Sequence, residues 1–324
     1  MSVARTFLIG AVGLFGVIGL IGWMKREPRP AKVAKAVVQE IKISREAPKP
    51  IVVVKPAAAV KPAVEVFPEV DRIKELFALD SSKLPIVETV SYTSRVPWLK
   101  GRPAWIADYA AHFETSRHFI ARSLNRKPDY FTQKISPGDR FNVFKKDKNI
   151  NFHFVIDLTR CRMWFYYIDM DANERVLLKT YRVGIGKADP QSPSGSLTPI
   201  GKYSLGDKIA IYKPGTSGFF QDEKIEMIQV FGTRWIPFDN EIEGCTEAAK
   251  GFGLHGAPWV RDANGQYVED RSKIGKGDSD GCVRLNSEDI EEIFAIIVTK
   301  PATVELVKDF RDAKLSGHES RSGQ

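Results

Sequence analysis

The sequence predicts a mainly β fold, with a sandwich or barrel-like domain preceded by a small α/β subdomain, an extended linker and a single N-terminal membrane helix. Three observations support this prediction. An uncharged apolar run occupies residues 7–24, a proline-rich stretch comes next at 25–68, and short runs of β-branched and aromatic residues recur from residue 151 onward. With 324 residues, the chain is long enough for two folded units and their appendages.

The apolar run FLIGAVGLFGVIGLIGWM is bounded by Arg5 before it and by Lys25 and Arg26 after it. Its 18 residues are just enough to span a bilayer as a helix. No convincing A-x-A cleavage site lies between this run and the charged KREPRP, which favours an uncleaved signal anchor over a cleaved signal peptide. The basic residues after the run favour a cytoplasmic position for the rest of the chain, a bias that large domains can override.

Residues 25–68 are predicted to be an extended linker. Seven prolines disfavour helix and sheet, so its 44 residues could reach about 140 Å. The chain carries 48 Lys or Arg against 40 Asp or Glu, a net charge of +8. Ten of the basic residues and only three Glu lie within residues 25–62, so most of the net charge belongs to this tether. The basic balance therefore does not indicate a nucleic-acid-binding face.

The region 69–150 is predicted to be a small subdomain. EVDRIKELFAL at 69–79 places its apolar residues on one helical face, and two short helices are expected at 105–113 and 116–124. A Pro-Gly-Asp turn then leads into a strand that ends at residue 144.

The helix pair, turn and final strand of this subdomain resemble the later two thirds of a LysM wall-binding module. The preceding SYTSRVPWLKGRP departs from the usual first strand of that module. The resemblance implies glycan binding, with a plain packing subdomain as the alternative. His112 and His118 are interpreted as surface or structural residues.

Residues 151–308 have the pattern of a β domain, and residues 309–324 read as a polar tail. Only SEDIEEIFAIIV at 287–298 has helical periodicity, with Ser287 as a candidate N-cap. Turn signals separate the predicted strands. The predicted strand runs are FHFVIDL, RMWFYYI, VLLKTYRVGIG, GKYSLGDKI, EMIQVFG and ATVELV.

The three cysteines, Cys161, Cys245 and Cys282, have neither metal-site nor CxxC spacing, and no metal or organic cofactor is expected. Cys161 and Cys245 match no catalytic pattern and are interpreted as structural. Cys282 comes directly after Gly281, which leaves room beside the sulfur and permits unusual backbone angles. The amides of these two residues could then face a developing oxyanion.

His255, which precedes Gly256, is the candidate general base for this thiol. An imidazole titrates near neutral pH and can accept the proton of a thiol. An isolated histidine more often bonds a nearby carbonyl, and Gly-Cys pairs also occur in inert loops. The Cys282 sulfur nevertheless comes only 27 residues after His255, in an order that a β fold can bring together.

Residues Asn151–Lys308 resemble the L,D-transpeptidase catalytic domain, also called YkuD-like. TPIGKYSL at 198–205, FGTRWIPF before GFGLHG, and SDGCVRLN at 279–286 match motifs of that family in order. Asp280 stands where many members have a second histidine, which leaves the tuning of the thiol pKa open. An apparent insertion, APWVRDANGQYVEDRSKIGKGD, leaves the shape of the acceptor cleft open.

The resemblance implies a nucleophile at Cys282 and a base at His255. Arg284 would anchor a substrate carboxylate, with an internal salt bridge that orients the loop as the alternative. The residues that it implies as supports of the site and its oxyanion are Gly281, Ser279, Asp280 and Gly256.

The implied activity is that of a peptidoglycan L,D-transpeptidase, which forms 3→3 crosslinks through a cysteine thioester with release of D-Ala. Such an enzyme of cell wall biogenesis and cell shape would be acylated by carbapenems. The alternatives are an L,D-carboxypeptidase or amidase that hydrolyses the same bonds, and a non-catalytic wall-binding scaffold. A papain-like or NlpC-like peptidase is disfavoured, because those enzymes place the cysteine before the histidine.

The same resemblance implies the expected partners. They are peptidoglycan tetrapeptide stems, the membrane through the N-terminal helix, and cell-wall assembly proteins, but not nucleic acid. The expected location is the bacterial inner membrane, with a single pass and the catalytic domain in the periplasm.

Overall fold

The computed structural model describes residues 67–125, 134–207 and 209–320. They belong to a compact unit that spans Glu65–Gln324. The predicted anchor at 7–24 and nearly all of the predicted linker lie outside the described residues. Within the described part, no helix is long and apolar enough to cross a bilayer.

Strands outnumber helices among the described residues. In chain order the elements are α1 (Ile73–Phe77), β1 (Val87–Ser91), α2 (Ile106–His112), α3 (Arg117–Asn125), β2 (Arg140–Phe144), β3 (Ile150–Asp157), β4 (Arg162–Asp169), β5 (Glu174–Arg182), β6 (Ile185–Gly186), β7 (Gly201–Leu205), β8 (Ala210–Ile211), β9 (Ser217–Phe220), β10 (Glu223–Glu226), α4 (Ile228–Phe231), β11 (Arg234–Glu243), β12 (Gly253–Gly256), β13 (Trp259–Arg261), β14 (Tyr267–Glu269), β15 (Gly277–Ser279), β16 (Val283–Leu285), α5 (Ser287–Ile297), β17 (Ala302–Val307) and β18 (His318–Glu319). Short 3-10 helices occur at Arg271–Lys273 and Phe310–Asp312.

Ten strands form one curled, half-barrel sheet in the order β16-β12-β11-β7-β17-β3-β4-β5-β18, with β8 paired to β11. Most neighbours are antiparallel, but β16 with β12, β17 with β3, and β18 with β5 are parallel pairs. The register between β7 and β11 shifts on either side of Glu241, and such irregularities bend a sheet. The prediction of a mainly β domain is confirmed.

One face of the sheet packs against α5, which buries Ile290, Ile293 and Phe294 in the main core. The Phe154 and Phe165 rings of β3 and β4 stack there, with centroids 4.4 Å apart. The helix predicted at 287–298 is confirmed as α5. Its N-cap residue is Asn286 rather than Ser287, because Asn286 is the last residue with an extended backbone ψ, 154°.

The other face of the sheet, around the buried Trp164, is covered by both ends of the described chain. The Trp164 Nε1–H donates to the Pro68 carbonyl over 2.8 Å, and the Phe310 ring lies 4.3 Å from the Trp164 ring. Beyond Phe310, β18 pairs with β5. The predicted polar tail, as far as residue 320, therefore packs on the sheet and shields the Trp164 indole from water. Burial of this apolar surface stabilises the fold.

In the subdomain, β1 and β2 pair antiparallel and α2 and α3 lie between them in the chain. A small core around Tyr109 and Phe141 belongs to this region alone. Phe119 and Phe144, by contrast, join the main core. The subdomain therefore shares its packing with the β domain, and its resemblance to LysM stays a prediction.

The strand predicted for EMIQVFG is wrong, because Ile228–Phe231 forms the single helical turn α4, which ends at Gly232. The helix predicted over 69–79 is confined to α1. Both segments are too short for apolar periodicity to separate a helical turn from an extended run.

Candidate active site

The parallel pairing of β12 with β16 brings the chain segments of the predicted base and nucleophile side by side. In the register of this pair, Leu254 lies opposite Val283 and His255 lies opposite Arg284. Leu254 and Val283 point into the core, so His255 and Cys282 belong to the opposite face, because successive side chains of a strand alternate. Cys282 comes two positions before Arg284, the residue opposite His255, so Cys282 and His255 are diagonal neighbours on that face.

His255 is only 3% exposed and is held by its own neighbour. Its Nδ1 lies 2.7 Å from the Gly256 carbonyl oxygen. Because a carbonyl can only accept, Nδ1 carries the hydrogen and Nε2 keeps its lone pair. The Phe231 and Trp235 rings wall the imidazole at centroid distances of 5.4 and 5.9 Å.

Burial lowers the pKa of His255 to about 4, and the positive charge of Arg284 acts in the same direction. The Gly256 and Phe231 carbonyls partly oppose this shift. At neutral pH the imidazole is therefore uncharged and able to accept a proton.

The Cys282 thiol is half-buried, and its Sγ–H donates to the Gly251 carbonyl over 3.5 Å. Burial raises the pKa of Cys282 to about 11, although the Gly253 N–H and the Arg284 charge stabilise the thiolate. The resting pair is thus a neutral thiol beside a neutral imidazole, so the proton must leave the sulfur as it attacks.

The loop that carries the thiol is fixed by buried hydroxyls. The Ser279 hydroxyl donates to the Cys282 carbonyl over 2.6 Å and accepts the Gly281 N–H over 3.1 Å. The Thr198 hydroxyl donates to the Gly281 carbonyl over 2.8 Å. The sequence predicts two oxyanion donors, the N–H groups of Gly281 and Cys282. The Ser279 hydroxyl accepts the Gly281 N–H, whereas the Cys282 N–H has no acceptor among the described residues.

Gly281 adopts φ +121°, a backbone conformation that favours glycine. A Cβ at this position would lie 2.5 Å from the Phe252 ring and 2.8 Å from the Leu197 carbonyl oxygen. The close approach of these two groups requires a glycine immediately before the thiol.

The remaining predicted site residues occupy the edge of the same loop. The Arg284 guanidinium donates to the Asp278 carbonyl over 3.2 Å and lies 4.0 Å from the Asp278 carboxylate, while its buried Nε has no partner among the described residues. An internal contact therefore exists, and a role in substrate binding stays a prediction. Asp280 is exposed and pairs with Lys187 over 2.8 Å, and Gly256 acts through the carbonyl that orients His255.

Sequence reasoning missed Thr198 and Phe231 as site residues. Thr198 opens the TPIGKYSL motif, and that position was the available signal. Phe231 has no such signal in the sequence, because the pattern of its segment predicts a strand, whereas the helical turn α4 sets its ring against His255.

The apparent insertion after His255 forms the hairpin β13–β14 at the rim of the site. Arg261 of this hairpin pairs with Glu226 of β10 over 3.1 Å, and its guanidinium lies over the Tyr267 ring at 4.2 Å. The insertion is thereby joined to the hairpin β9–β10, which precedes α4.

The thiols of the two other cysteines make no hydrogen bond to the residues of this site, and all three thiols are free. Cys161 adopts φ 50° in the turn between β3 and β4, and the Cys245 Sγ–H donates to the Lys202 carbonyl over 3.1 Å. Among the residues that the structure describes, no group of three or more His, Cys, Asp or Glu has a metal-binding arrangement.

Residues 151–306 match the family model described as YkuD, L,D-transpeptidase catalytic domain. No curated protein is significantly similar to the chain in sequence. Among solved structures, Bd1075 from Bdellovibrio bacteriovorus is 14% identical with a TM-score of 0.32, over 53% of this chain and 50% of that one. The helical cell shape determining protein Pgp2 from Campylobacter jejuni is 17% identical with a TM-score of 0.33, over 53% of this chain and 54% of that one.

The similarity thus spans about half the length of either solved structure. The family match covers every strand from β4 to β16 as well as Cys282 and His255. Residues 151–306, just under half of the chain, are therefore similar to the catalytic domain of the YkuD family of L,D-transpeptidases.

Proposed function

We propose that the chain is a peptidoglycan L,D-transpeptidase that forms 3→3 crosslinks through a thioester on Cys282. The observation that supports this most strongly is the tautomer of His255. Its Nδ1–H is bound to the Gly256 carbonyl, which leaves the Nε2 lone pair available on the face that also carries the Cys282 sulfur. Acyl transfer requires a base and a nucleophile on one accessible face.

In the first half of the reaction, the Cys282 sulfur attacks the carbonyl carbon between the third residue of a tetrapeptide stem and its terminal D-Ala. The sulfur–carbon bond forms as Nε2 of His255 takes the thiol proton. The carbon–nitrogen bond then breaks, the departing nitrogen of D-Ala receives that proton, and a thioester remains. The Cys282 N–H, for which no described residue supplies an acceptor, would stabilise the negative oxygen of the intermediate.

In the second half, the amine of the third-position residue of another stem attacks the thioester. His255 takes a proton from this amine and returns it to the departing sulfur, so the enzyme is restored. Water in place of the amine would give a tripeptide by hydrolysis. The acceptor therefore decides between a transpeptidase and an L,D-carboxypeptidase.

Incubation of the chain with disaccharide tetrapeptide, followed by mass spectrometry, tests this proposal. A dimer that lacks one D-Ala supports transfer, whereas a tripeptide alone supports hydrolysis. No product, together with retained binding to sacculi, would support the non-catalytic scaffold instead.

Cys282→Ala is expected to abolish both the product and the carbapenem thioester adduct, with the unfolding transition preserved. Cys161→Ala is the matched control, because it removes a half-buried thiol whose hydrogen bond goes to the Leu158 carbonyl and not to the site, and it should leave both readouts intact. An adduct that survives Cys282→Ala would show that another group is the nucleophile.

The membrane anchor, the periplasmic location and glycan binding by the subdomain are further parts of this proposal. An anchored enzyme with a long tether would reach wall polymer outside the cytoplasm. Fractionation of cells that produce the chain tests the anchor. Glycan binding by the subdomain is tested by comparing the sacculus binding of Cys282→Ala with that of the same variant carrying Tyr109→Ala in the small core. Recovery in the soluble periplasmic fraction would exclude an uncleaved anchor.

A further inference from the structure

Thr198 is fully buried, and its hydroxyl joins two segments of the chain. It accepts the Gly186 N–H over 2.7 Å and donates to the Gly281 carbonyl over 2.8 Å. The direction of both bonds is unambiguous, because an amide N–H can only donate and a carbonyl oxygen can only accept. The single proton of the hydroxyl is therefore committed to Gly281.

This bond fixes the orientation of the peptide unit between Gly281 and Cys282. A peptide is planar and trans, so its C=O and its N–H point in opposite directions. When Thr198 holds the Gly281 carbonyl on one side, the Cys282 N–H must point to the other. Rotation of this peptide would move both groups together.

The Cys282 N–H is also the amide of this loop that is left for a ligand. The Ser279 hydroxyl engages the Gly281 N–H on one side of the peptide and the Cys282 carbonyl on the other. No described residue accepts a hydrogen bond from the Cys282 N–H itself. The loop is thus clamped on both sides of the Cys282 N–H.

Thr198 is itself held in place by the segment that precedes it. The Ser196 hydroxyl accepts the Thr198 N–H over 3.1 Å and donates to the Gly186 carbonyl over 2.9 Å. The Leu197 N–H donates to the Lys187 carbonyl over 2.9 Å. Thr198 therefore presents its hydroxyl from a segment that its neighbours fix.

We propose that Thr198 is a positioning residue that directs the Cys282 N–H at the oxyanion formed during acyl transfer. This inference rests on the proposed function of Cys282 as the nucleophile. The Thr198 hydroxyl forms no hydrogen bond with the sulfur or the base, and its influence on the thiol passes through the Gly281 carbonyl. Loss of its hydroxyl should slow attack on a carbonyl but leave the reactivity of the sulfur itself unchanged.

Two reagents separate these effects. Carbapenem acylation forms a sulfur–carbon bond, breaks the β-lactam carbon–nitrogen bond and transfers the thiol proton to the released nitrogen, and it passes through an oxyanion. Alkylation by iodoacetamide displaces iodide from a saturated carbon and needs no oxyanion donor. Both rates are measured on the full chain by mass spectrometry of the peptide that contains Cys282.

Thr198→Val keeps the volume of the side chain and removes its hydroxyl. We expect carbapenem acylation to slow by at least about tenfold, towards the about 10²–10³ that loss of an oxyanion donor costs, with alkylation unchanged. Thr198→Ser should restore acylation. Thr115→Val is the matched control, because the buried Thr115 hydroxyl also accepts a backbone N–H, that of Phe144 over 2.9 Å, and donates to a carbonyl, that of Phe113 over 3.0 Å, but bonds no residue of this loop.

Equal acylation rates for Thr198→Val and the wild type would overturn the inference, as would equal slowing of both reactions. If Thr198→Val does not fold, Thr198→Ala is measured in the same way. The inference is then judged by the ratio of its acylation rate to its alkylation rate. Failure of the proposed function is a separate result, because the wild-type chain itself would then form no carbapenem adduct on Cys282.

Discussion

Replacement of Gly281 by alanine tests whether the backbone before the thiol is as constrained as the structure indicates. The added Cβ would meet the Leu197 carbonyl oxygen at 2.8 Å and the Phe252 ring at 2.5 Å, at a φ of +121°. The ring can shift, but the carbonyl belongs to a hydrogen-bonded segment and has little freedom to move. The substitution therefore combines backbone strain with a steric clash.

The backbone strain is worth about 1–3 kcal/mol and the overpacking about another 1–3 kcal/mol. Gly281→Ala is thus expected to lower the free energy of unfolding by about 2–6 kcal/mol, measured by urea denaturation. Because a displacement of about 1 Å can cost about a hundredfold in rate, acylation of Cys282 should also fall by about that factor in the folded fraction.

Gly195→Ala is the matched control for this measurement. Gly195 also has a positive φ, +77°, but a Cβ there would meet nothing within 4 Å. We expect a loss of only about 1–2 kcal/mol from its backbone conformation and no effect on acylation. Similar losses in the two variants, or an unfolding free energy of Gly281→Ala close to the wild type, would refute the explanation based on the clash.

Two further predictions concern the stability of the domain. The pKa of His255 falls from its usual 6.5 to about 4 on folding, so the unfolded chain binds the proton first as the pH is lowered. The free energy of unfolding should therefore drop by up to about 3 kcal/mol between pH 6.5 and pH 4. His255→Gln should lack this part of the pH dependence in denaturation curves, and an identical pH dependence would contradict the assignment. The Lys179 Nζ lies 2.8 Å from the Glu292 carboxylate and 3.1 Å from the Asp289 carboxylate, and the Lys179 side chain is only 16% exposed. Lys179→Met should therefore lower the free energy of unfolding by about 3–5 kcal/mol, because it removes the cation that faces these carboxylates. Adding Glu292→Gln should recover part of this loss, and additive losses in the double variant would argue against a coupled pair.

Much of the β domain could be predicted from local patterns. The alternating aromatic and β-branched runs at 152–158 and 162–168 became β3 and β4, and the 3.6-residue periodicity of 287–298 became α5. The pattern failed at α4, where four residues contain too little periodicity to distinguish a helical turn from a strand. It also missed the packing of Phe310, because one aromatic residue in a polar segment gives no periodic signal.

The sequence by itself determined which residues carry the chemistry. Cys282, His255 and the motifs around them have fixed positions in the chain, within the residues 151–306 that match the YkuD family model. Those features are local, because each depends on a few consecutive residues and their side-chain types.

Only the tertiary structure decided how these residues work together. The parallel pairing of β12 with β16 puts the base and the thiol on one face, and the Thr198 hydroxyl crosses 83 positions of sequence to bind the Gly281 carbonyl. Which amide stays free, and how deeply the imidazole is buried, depend on such long-range contacts. No local periodicity encodes them, because the contacts form only when segments distant in the chain pack into one core.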